Sequence, residues 1–222
     1  MAACRCEGIE SRFDQEYATT KLAEYRRAGP DERTSALLDA LRVDGVDGMS
    51  LLDIGGGIGA IQHEMLKSGL DSAVEVEGSR ACIEACRTEA ARQGHDERIE
   101  HLHGDFTELA DAIEPADIVT LDGVICCWHD MPGLVGSSAH KAKRLYGLVY
   151  PRDAWWIRLG WRGYNNAAHR LRGNPLRLYV HRTRDVETAI RESGLERRFL
   201  REMGVWQVAV SYTHLRAHET GS

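Results

Sequence analysis

The chain has 222 residues, 43% hydrophobic and 28% charged, with a formal net charge of −6. These values exclude wholesale disorder and fit one domain with a sizeable core, or a domain with a small appendage. No run of roughly 18 apolar residues exists to span a membrane, and Met1 to Phe13 lacks a signal-peptide core, so six cysteines read as reduced thiols in a cytoplasmic protein. The net charge conceals an asymmetry. Residues 1–140 hold 12 Lys/Arg against 27 Asp/Glu, and residues 141–201 hold 15 against 5. Either opposite charges sit on different faces of one domain, or the basic segment meets an anionic substrate, membrane surface or nucleic acid.

In chain order, residues 11–27 and 32–43 predict two helices broken by Gly29-Pro30, an N-terminal helical cap over 1–45. From residue 46 strand and helix patterns alternate, which argues for βαβ units and a parallel sheet. Strands are predicted over 51–54, 73–76, 99–102, 118–121 and 145–150. Helices are predicted over 60–68 and 80–93, closed by Gly69 and Gly94, and over 184–193, stopped by Gly194. The stretches 197–201 and 205–210 predict a terminal antiparallel pair around Gly204. Residues Val210 to Thr220 match one reading frame of a transposase-type sequencing adapter, so 46–210 is taken as the main domain and 211–222 as a non-native tail.

The most informative stretch is Leu51-Leu52-Asp53-Ile54-Gly55-Gly56-Gly57-Ile58-Gly59. It reads as a buried strand running into a turn too tight for side chains, with a helix beyond it. A dinucleotide fold needs G-x-G-x-x-G, so that a pyrophosphate can rest on the helix N-terminus. Here the spacing is G-x-G-x-G, and Asp53 two residues ahead suits a cationic amino group better than a phosphate. Both features disfavour a nicotinamide oxidoreductase. The pattern Asp-x-Gly-x-Gly-x-Gly resembles the first motif of class I S-adenosylmethionine-dependent methyltransferases, whose cofactor carries an ammonium and a sulfonium and no phosphate. That resemblance covers about residues 48–125. It implies an α/β fold: a Rossmann-like, doubly wound, seven-stranded sheet with an antiparallel last strand and helices on both faces. It also implies S-adenosylmethionine as cofactor, held at Asp53, Ile54, Gly55, Gly56, Gly57 and Gly59.

Further candidates follow along the chain. Glu77, at the tip of the second strand and 22 residues beyond Gly55, can accept hydrogen bonds from both ribose hydroxyls. The family more often has Asp there. Gly104-Asp105-Phe106 resembles the family's adenine site, and Asp122 at the end of strand four falls beside the methionine part in relatives. Beyond it, Val124 to Asp130 is expected to face the acceptor, with Trp128 touching it. His129 is the candidate base, since histidine titrates near neutrality, although in a loop it also reads as a polar surface residue. Neither an Asn/Asp-Pro-Pro-Tyr/Phe motif nor a Pro-Cys pair is present, which disfavours amino-methylating and cytosine-C5 chemistry. Cys126, Cys127, His129, Cys4 and Cys6 lack the matched spacing of a zinc site, so no metal is expected.

Residues 154–172 alternate tryptophan and arginine at helical spacing. They read either as a helix packing tryptophan into the core or as a lid or interfacial helix, with Trp155 and Trp156 contacting a lipophilic or anionic acceptor. The pattern over 178–194 looks similar to the corresponding region of magnesium-protoporphyrin O-methyltransferases, vaguely enough to suggest a relative whose substrate stays open rather than that enzyme itself. The expectation is therefore a methyltransferase acting on a small molecule, by O-methylation. An RNA methyltransferase and a non-catalytic S-adenosylmethionine-binding protein stand as alternatives, nucleic acid being the less favoured partner. Peripheral membrane contact stays open.

Overall fold

The computed structural model of the protein describes residues 5–172 and 177–213. Three helices come first, α1 (Arg5–Arg12), α2 (Gln15–Ala28) and α3 (Glu32–Arg42). Asp14 and Asp31 start the second and third, each accepting a backbone N–H three residues on. The alternating region follows as β1 (Ser50–Ile54), α4 (Ala60–Lys67), β2 (Ser72–Glu77), α5 (Arg80–Gln93), β3 (Ile99–His103), α6 (Phe106–Leu109) and β4 (Ala116–Asp122). It continues as α7 (Met131–Ala139), β5 (Ala142–Pro151), α8 (Trp155–Arg172), α9 (Thr183–Glu192), β6 (Leu195–Met203) and β7 (Trp206–Thr213).

The strands make one seven-stranded sheet in the order β3-β2-β1-β4-β5-β7-β6. β1 to β5 pair in parallel, and β7 runs antiparallel to both its neighbours, β5 and β6. This is the doubly wound sheet with an antiparallel last strand that the sequence predicts. Strand order reverses between β1 and β4, which puts the ligand-binding switch point at the carboxyl ends of these two strands. The central strands are buried on both faces, so they read as continuous apolar runs instead of alternating ones. One face packs Leu52, Val119, Tyr146 and Leu148 against α7 and α9, and the other packs Leu51, Ile118, Leu145 and Val149 against Leu37 and Leu41 of α3.

Three features depart from expectation. α1 precedes the first expected helix. α7 occupies a stretch with a proline and two glycines for which no helix is predicted. Its helix holds because Asp130 caps it, accepting from Gly133 N–H at 3.1 Å, and Pro132 falls in the first turn, where a missing N–H costs nothing. Third, β7 does not end at Val210. Ser211 is buried opposite Tyr146 and Arg197, Tyr212 lies opposite Leu145 and Glu196, and Thr213 donates its Oγ1–H to Lys143 O at 2.8 Å. The boundary expected after 210 therefore falls inside a strand, and residues 214–222 lie outside the described residues.

Candidate active site

At the carboxyl ends of β1, β3 and β4 the chain leaves the strand through a glycine in the left-handed or extreme positive-φ region. Gly55 (φ 68°) donates its N–H to Val76 O at 2.7 Å, Gly104 (φ 151°) to Glu77 O at 3.1 Å, and Gly123 (φ 73°) to Val149 O at 2.9 Å. Each turn lets the chain bend away from the sheet while its first amide remains in the ladder. The bends open a cavity of about 320 Å³, walled by Ile54, Gly55 and Gly57, by Glu77, by Gly104, Asp105 and Phe106, and by Asp122. A second cavity of about 360 Å³ continues round the glycine turn past Gly56, Asp53 and Asp122 to α2 and α3.

Within the turn the glycines do different work. A Cβ on Gly55 would come within 2.5 Å of Val124 Cγ2, and one on Gly56 within 2.3 Å of Gln62 Nε2. One on Gly59 would strike Cys86, so this glycine serves packing behind the turn. Gly57, at φ 60°, has nothing within 4 Å of its missing Cβ, because it faces the cavity. Its N–H donates to Glu77 Oε2 at 2.9 Å, and Ser79 N–H donates to Oε1 at 2.8 Å. Glu77 thus ties the β1 turn to the end of β2. Burial raises its pKa, against the pull of these backbone donors.

Asp53 is buried beneath the turn, outside the lining of the first cavity and at the inner edge of the second. Thr120 Oγ1–H reaches its Oδ1 at 2.7 Å and Gln62 Nε2–H its Oδ2 at 3.1 Å, and burial raises its pKa well above the usual range. The same buried layer holds Glu75, hydrogen-bonded to His101, and Cys86, whose thiol donates to Gln62 Oε1 at 3.1 Å. Among the described residues, Glu75, Cys86 and His101 form the one group of three whose ligand atoms lie within 4.8 Å of one another. His63, fully buried in this layer, has its pKa lowered to about 4, chiefly by desolvation of the charged form. Its folded pKa lies below its unfolded one, so its stabilising contribution is present above pH ~6.5 and is lost as pH falls towards 4. Relative to His63→Gln, the wild type is expected to lose roughly 3 kcal/mol between those limits, at ~1.4 kcal/mol per pH unit. Parallel urea titrations at pH 7 and pH 4.5 check this; equal losses in the two proteins would refute it.

Asp105 caps α6, its Oδ1 accepting from Thr107 N–H at 2.8 Å and Thr107 Oγ1–H at 2.7 Å, while Phe106 packs beside it. Asp122 Oδ2 accepts from Thr34 Oγ1–H at 2.6 Å, and its Oδ1 lies 3.6 Å from Arg33 Nε. Neither Asp122 Oδ1 nor Arg33 Nε has a hydrogen-bond partner among the described residues. Both residues line the cavity, and Arg33 Nε also lies 3.3 Å from Asp31 Oδ2.

The N-terminal helices roof this site. Ile9, Arg12, Phe13 and Tyr17 line the cavity, and Ser79 Oγ–H donates to Phe13 O at 2.5 Å, which fastens the roof to the end of β2. Burial raises the Tyr17 pKa to about 12, so its phenol is protonated at neutral pH. No motif in residues 9–17 announces these contacts. The far wall is apolar and sulfur-rich: Val124, Cys126, Cys127, Trp128, Leu134, Trp161, Leu178 and Trp206. Trp128 lines the cavity. His129 does not line the cavity; it is exposed, with its ring against Tyr179 at 5.5 Å between centroids. Trp155 and Trp156 also lie outside the lining, on the solvent side of α8, and the tryptophans that reach the cavity are Trp128, Trp161 and Trp206. Arg33 stacks on the Trp206 ring at 4.3 Å. His181 Nε2 lies 2.9 Å from both Ile125 O and Trp128 O and latches the loop that carries Trp128.

Comparison with known proteins gives this geometry a class. The family model described as a methyltransferase domain matches residues 52–143. The fold is similar to magnesium protoporphyrin IX methyltransferase from Synechocystis PCC 6803 with bound S-adenosylhomocysteine, with a TM-score of 0.70 and 14% identity, over 94% of this chain and 99% of that one. It is equally similar, at 0.70 and 15% identity, to an O-methyltransferase family protein from Burkholderia thailandensis, over 92% of this chain and 62% of that one. An O-methyltransferase family 2 protein from Planctomyces limnophilus DSM 3776, in complex with apigenin, matches with 0.65 and 16% identity, over 90% of this chain and 61% of that one. No curated protein matches the sequence. Residues 52–143 therefore match a methyltransferase domain, and the chain has the Rossmann-like fold of these methyltransferases.

Proposed function

We propose that the protein methylates an oxygen of a small, largely apolar acceptor, bound in the cavity between the glycine turn and the tryptophan wall. The observation that carries this reading is the continuity of one cavity. Gly55, Gly57, Glu77, Asp105 and Asp122 line the end nearest the strand tips, and Trp128, Trp161, Leu178 and Trp206 line its other wall. In this reading Gly57 lets the cofactor lie against the backbone, Glu77 accepts the ribose hydroxyls, Asp105 and Phe106 hold the adenine, and Asp122 faces the amino-acid end. Asp53 acts indirectly, holding the turn through Gln62 and Thr120. The residues fit the cofactor: an unfilled approach at Gly57, a buried carboxylate with spare lone pairs at Glu77, and an unpartnered oxygen at Asp122.

The bound cofactor supplies a methyl group already activated on a sulfonium, so the protein's own task is positioning and exclusion of water. A carboxylate acceptor needs no base, and Arg12 and Arg33 are the cations lining the cavity that can orient one. This makes O-methylation the reading that asks least of His129, which faces away. A hydroxyl acceptor would need a proton acceptor near the tryptophan wall, and Tyr17, with its raised pKa, is not one.

Calorimetry with S-adenosylhomocysteine and with NAD tests the cofactor site. Gly57→Ala is expected to keep the fold at a cost of roughly 1–2 kcal/mol of left-handed backbone strain, while binding of S-adenosylhomocysteine falls below detection. Normal binding in this variant, or binding of NAD alone, would overturn the assignment. Turnover on a panel of carboxylic and phenolic acceptors then tests the acceptor class. An RNA substrate would instead show as binding that weakens steeply with salt.

A further inference from the structure

α8 carries a second functional surface. Six large hydrophobic side chains are well exposed among the described residues, and four of them belong to this helix: Trp155 at 76%, Leu159 at 64%, Trp156 at 47% and Tyr164 at 46%. Their spacing places them on one side. At 100° per residue, positions 155, 159, 163, 156, 160 and 164 fill half the helical circumference in that order, with only Gly160 and Gly163 between the large groups. The opposite side holds buried Ile157 and partly buried Trp161, which is the side that walls the active-site cavity. The helix is thus committed on one face and bare on the other.

Its charges say what covers the bare face. Over residues 155–172 the sequence has Arg158, Arg162, Arg170 and Arg172 and no acidic residue. It stands within the segment 141–201, which holds 15 basic residues against 5 acidic in a protein that is otherwise acidic. Three amphipathic aromatic side chains, an aliphatic one and an excess of arginine, of which Arg158 pairs with Asp153, fit a surface that is apolar beneath and negative above. A protein partner would be expected to meet such a helix with a groove carrying its own carboxylates. A bilayer containing anionic lipids presents both properties continuously, and tryptophan and tyrosine settle at its headgroup level.

We infer that α8 docks the protein in plane on an anionic lipid bilayer, with Trp155, Trp156, Leu159 and Tyr164 inserted at the headgroup boundary. Since the other face of α8 walls the cavity through Trp161, docking brings that wall to the membrane surface. This inference is separate from the acceptor proposal, since no step of it uses the acceptor or the cofactor.

The test is flotation of the purified full chain with vesicles of phosphatidylcholine alone and of phosphatidylcholine mixed with phosphatidylglycerol. Wild type is expected to float with the mixed vesicles only, to release at high salt as the arginine attraction is screened, and to show a blue shift of tryptophan emission. The double variant Trp155→Ala, Trp156→Ala is expected to lose ~10-fold or more in vesicle partitioning. Both rings are exposed, so its thermal midpoint and its affinity for S-adenosylhomocysteine are expected to stay unchanged, which separates loss of docking from loss of fold. Arg158→Glu, as a second variant, is expected to weaken binding to the mixed vesicles. The inference is overturned if wild type floats with neither vesicle, if it binds both equally, or if the double variant binds like wild type. It is also overturned if sedimentation shows a dimer that the double variant dissolves, which would make the face a contact between copies, or if the helix binds RNA and not vesicles.

Discussion

Glu77→Ala is expected to weaken S-adenosylhomocysteine binding by ~10- to 150-fold, the worth of roughly 1.5–3 kcal/mol for hydrogen bonds to a charged acceptor. The structure adds a second consequence. Glu77 receives the N–H of Gly57 at 2.9 Å and of Ser79 at 2.8 Å, so the alanine leaves two donors at a buried turn without their acceptor. Each orphaned donor costs about 1–3 kcal/mol, and the variant is expected to lose stability as well as affinity. Glu77→Gln separates the effects. Its remaining carbonyl oxygen keeps one backbone donor, while its amide NH2 faces the other, so stability is partly recovered. The pH dependence has a definite sign. Burial raises the Glu77 pKa, so acidification protonates this carboxylate earlier than an exposed one, and ligand affinity is expected to fall as pH drops through that raised pKa. Isothermal titrations of wild type, E77A and E77Q at two pH values measure all three. Unchanged affinity in E77A would mean that the carboxylate only braces the turn and that the ribose sits elsewhere.

Ending the chain at Val210 is expected to destabilise it by several kcal/mol compared with ending it at Thr213. The shorter form loses buried Ser211, the Tyr212 ring stacked under the Arg198 guanidinium at 4.8 Å, and the Thr213 bond to Lys143. It also removes the ladder pairs at Tyr146, Leu145, Leu195, Glu196 and Arg197. The sequence-based expectation of a non-native tail over these residues is compatible with a strand. A strand asks for β-branched, aromatic and small hydroxyl side chains, and Val-Ser-Tyr-Thr supplies them whatever its origin. Thermal melts of the two truncated forms check the prediction. Equal midpoints would return the boundary to Val210.

The glycine turn, the strand tips and the alternation of elements were legible in the sequence, because each has a local cause. Strand apolarity, cap residues and glycine at positive φ are properties of a few adjacent residues, and Gly55, Gly57, Glu77, Asp105 and Asp122 do converge on one cavity. What sequence could not yield was whatever depends on distant packing. Asp53 reads as a ligand-facing carboxylate, and the sequence does not show that Thr120, 67 residues away, and Gln62 already donate to its two oxygens. The roof formed by Ile9, Phe13 and Tyr17 has no motif, since a surface that covers a cavity needs only shape. In α8 the periodicity showed an amphipathic helix but not which side met the core. Trp155 and Trp156 are expected at the acceptor from the sequence, and it is Trp161 that the fold turns to the cavity.

The position of β7 between β5 and β6 bears on how the molecule is made. Strands emerge from the ribosome in numerical order, but β6 has no place in the sheet until the later strand has passed inside it. Until then β5 offers a bare edge, and the sheet lacks the two strands that finish it. β6 and β7 are joined by the short link at Gly204 and can pair locally first, a fast step, before adding to β5 together as one hairpin. Synthesis thus leaves a growing, sticky half-sheet whose protection arrives last. A slow translation rate through the segment 152–205 would lengthen that exposure, and aggregation during expression is the penalty it would show.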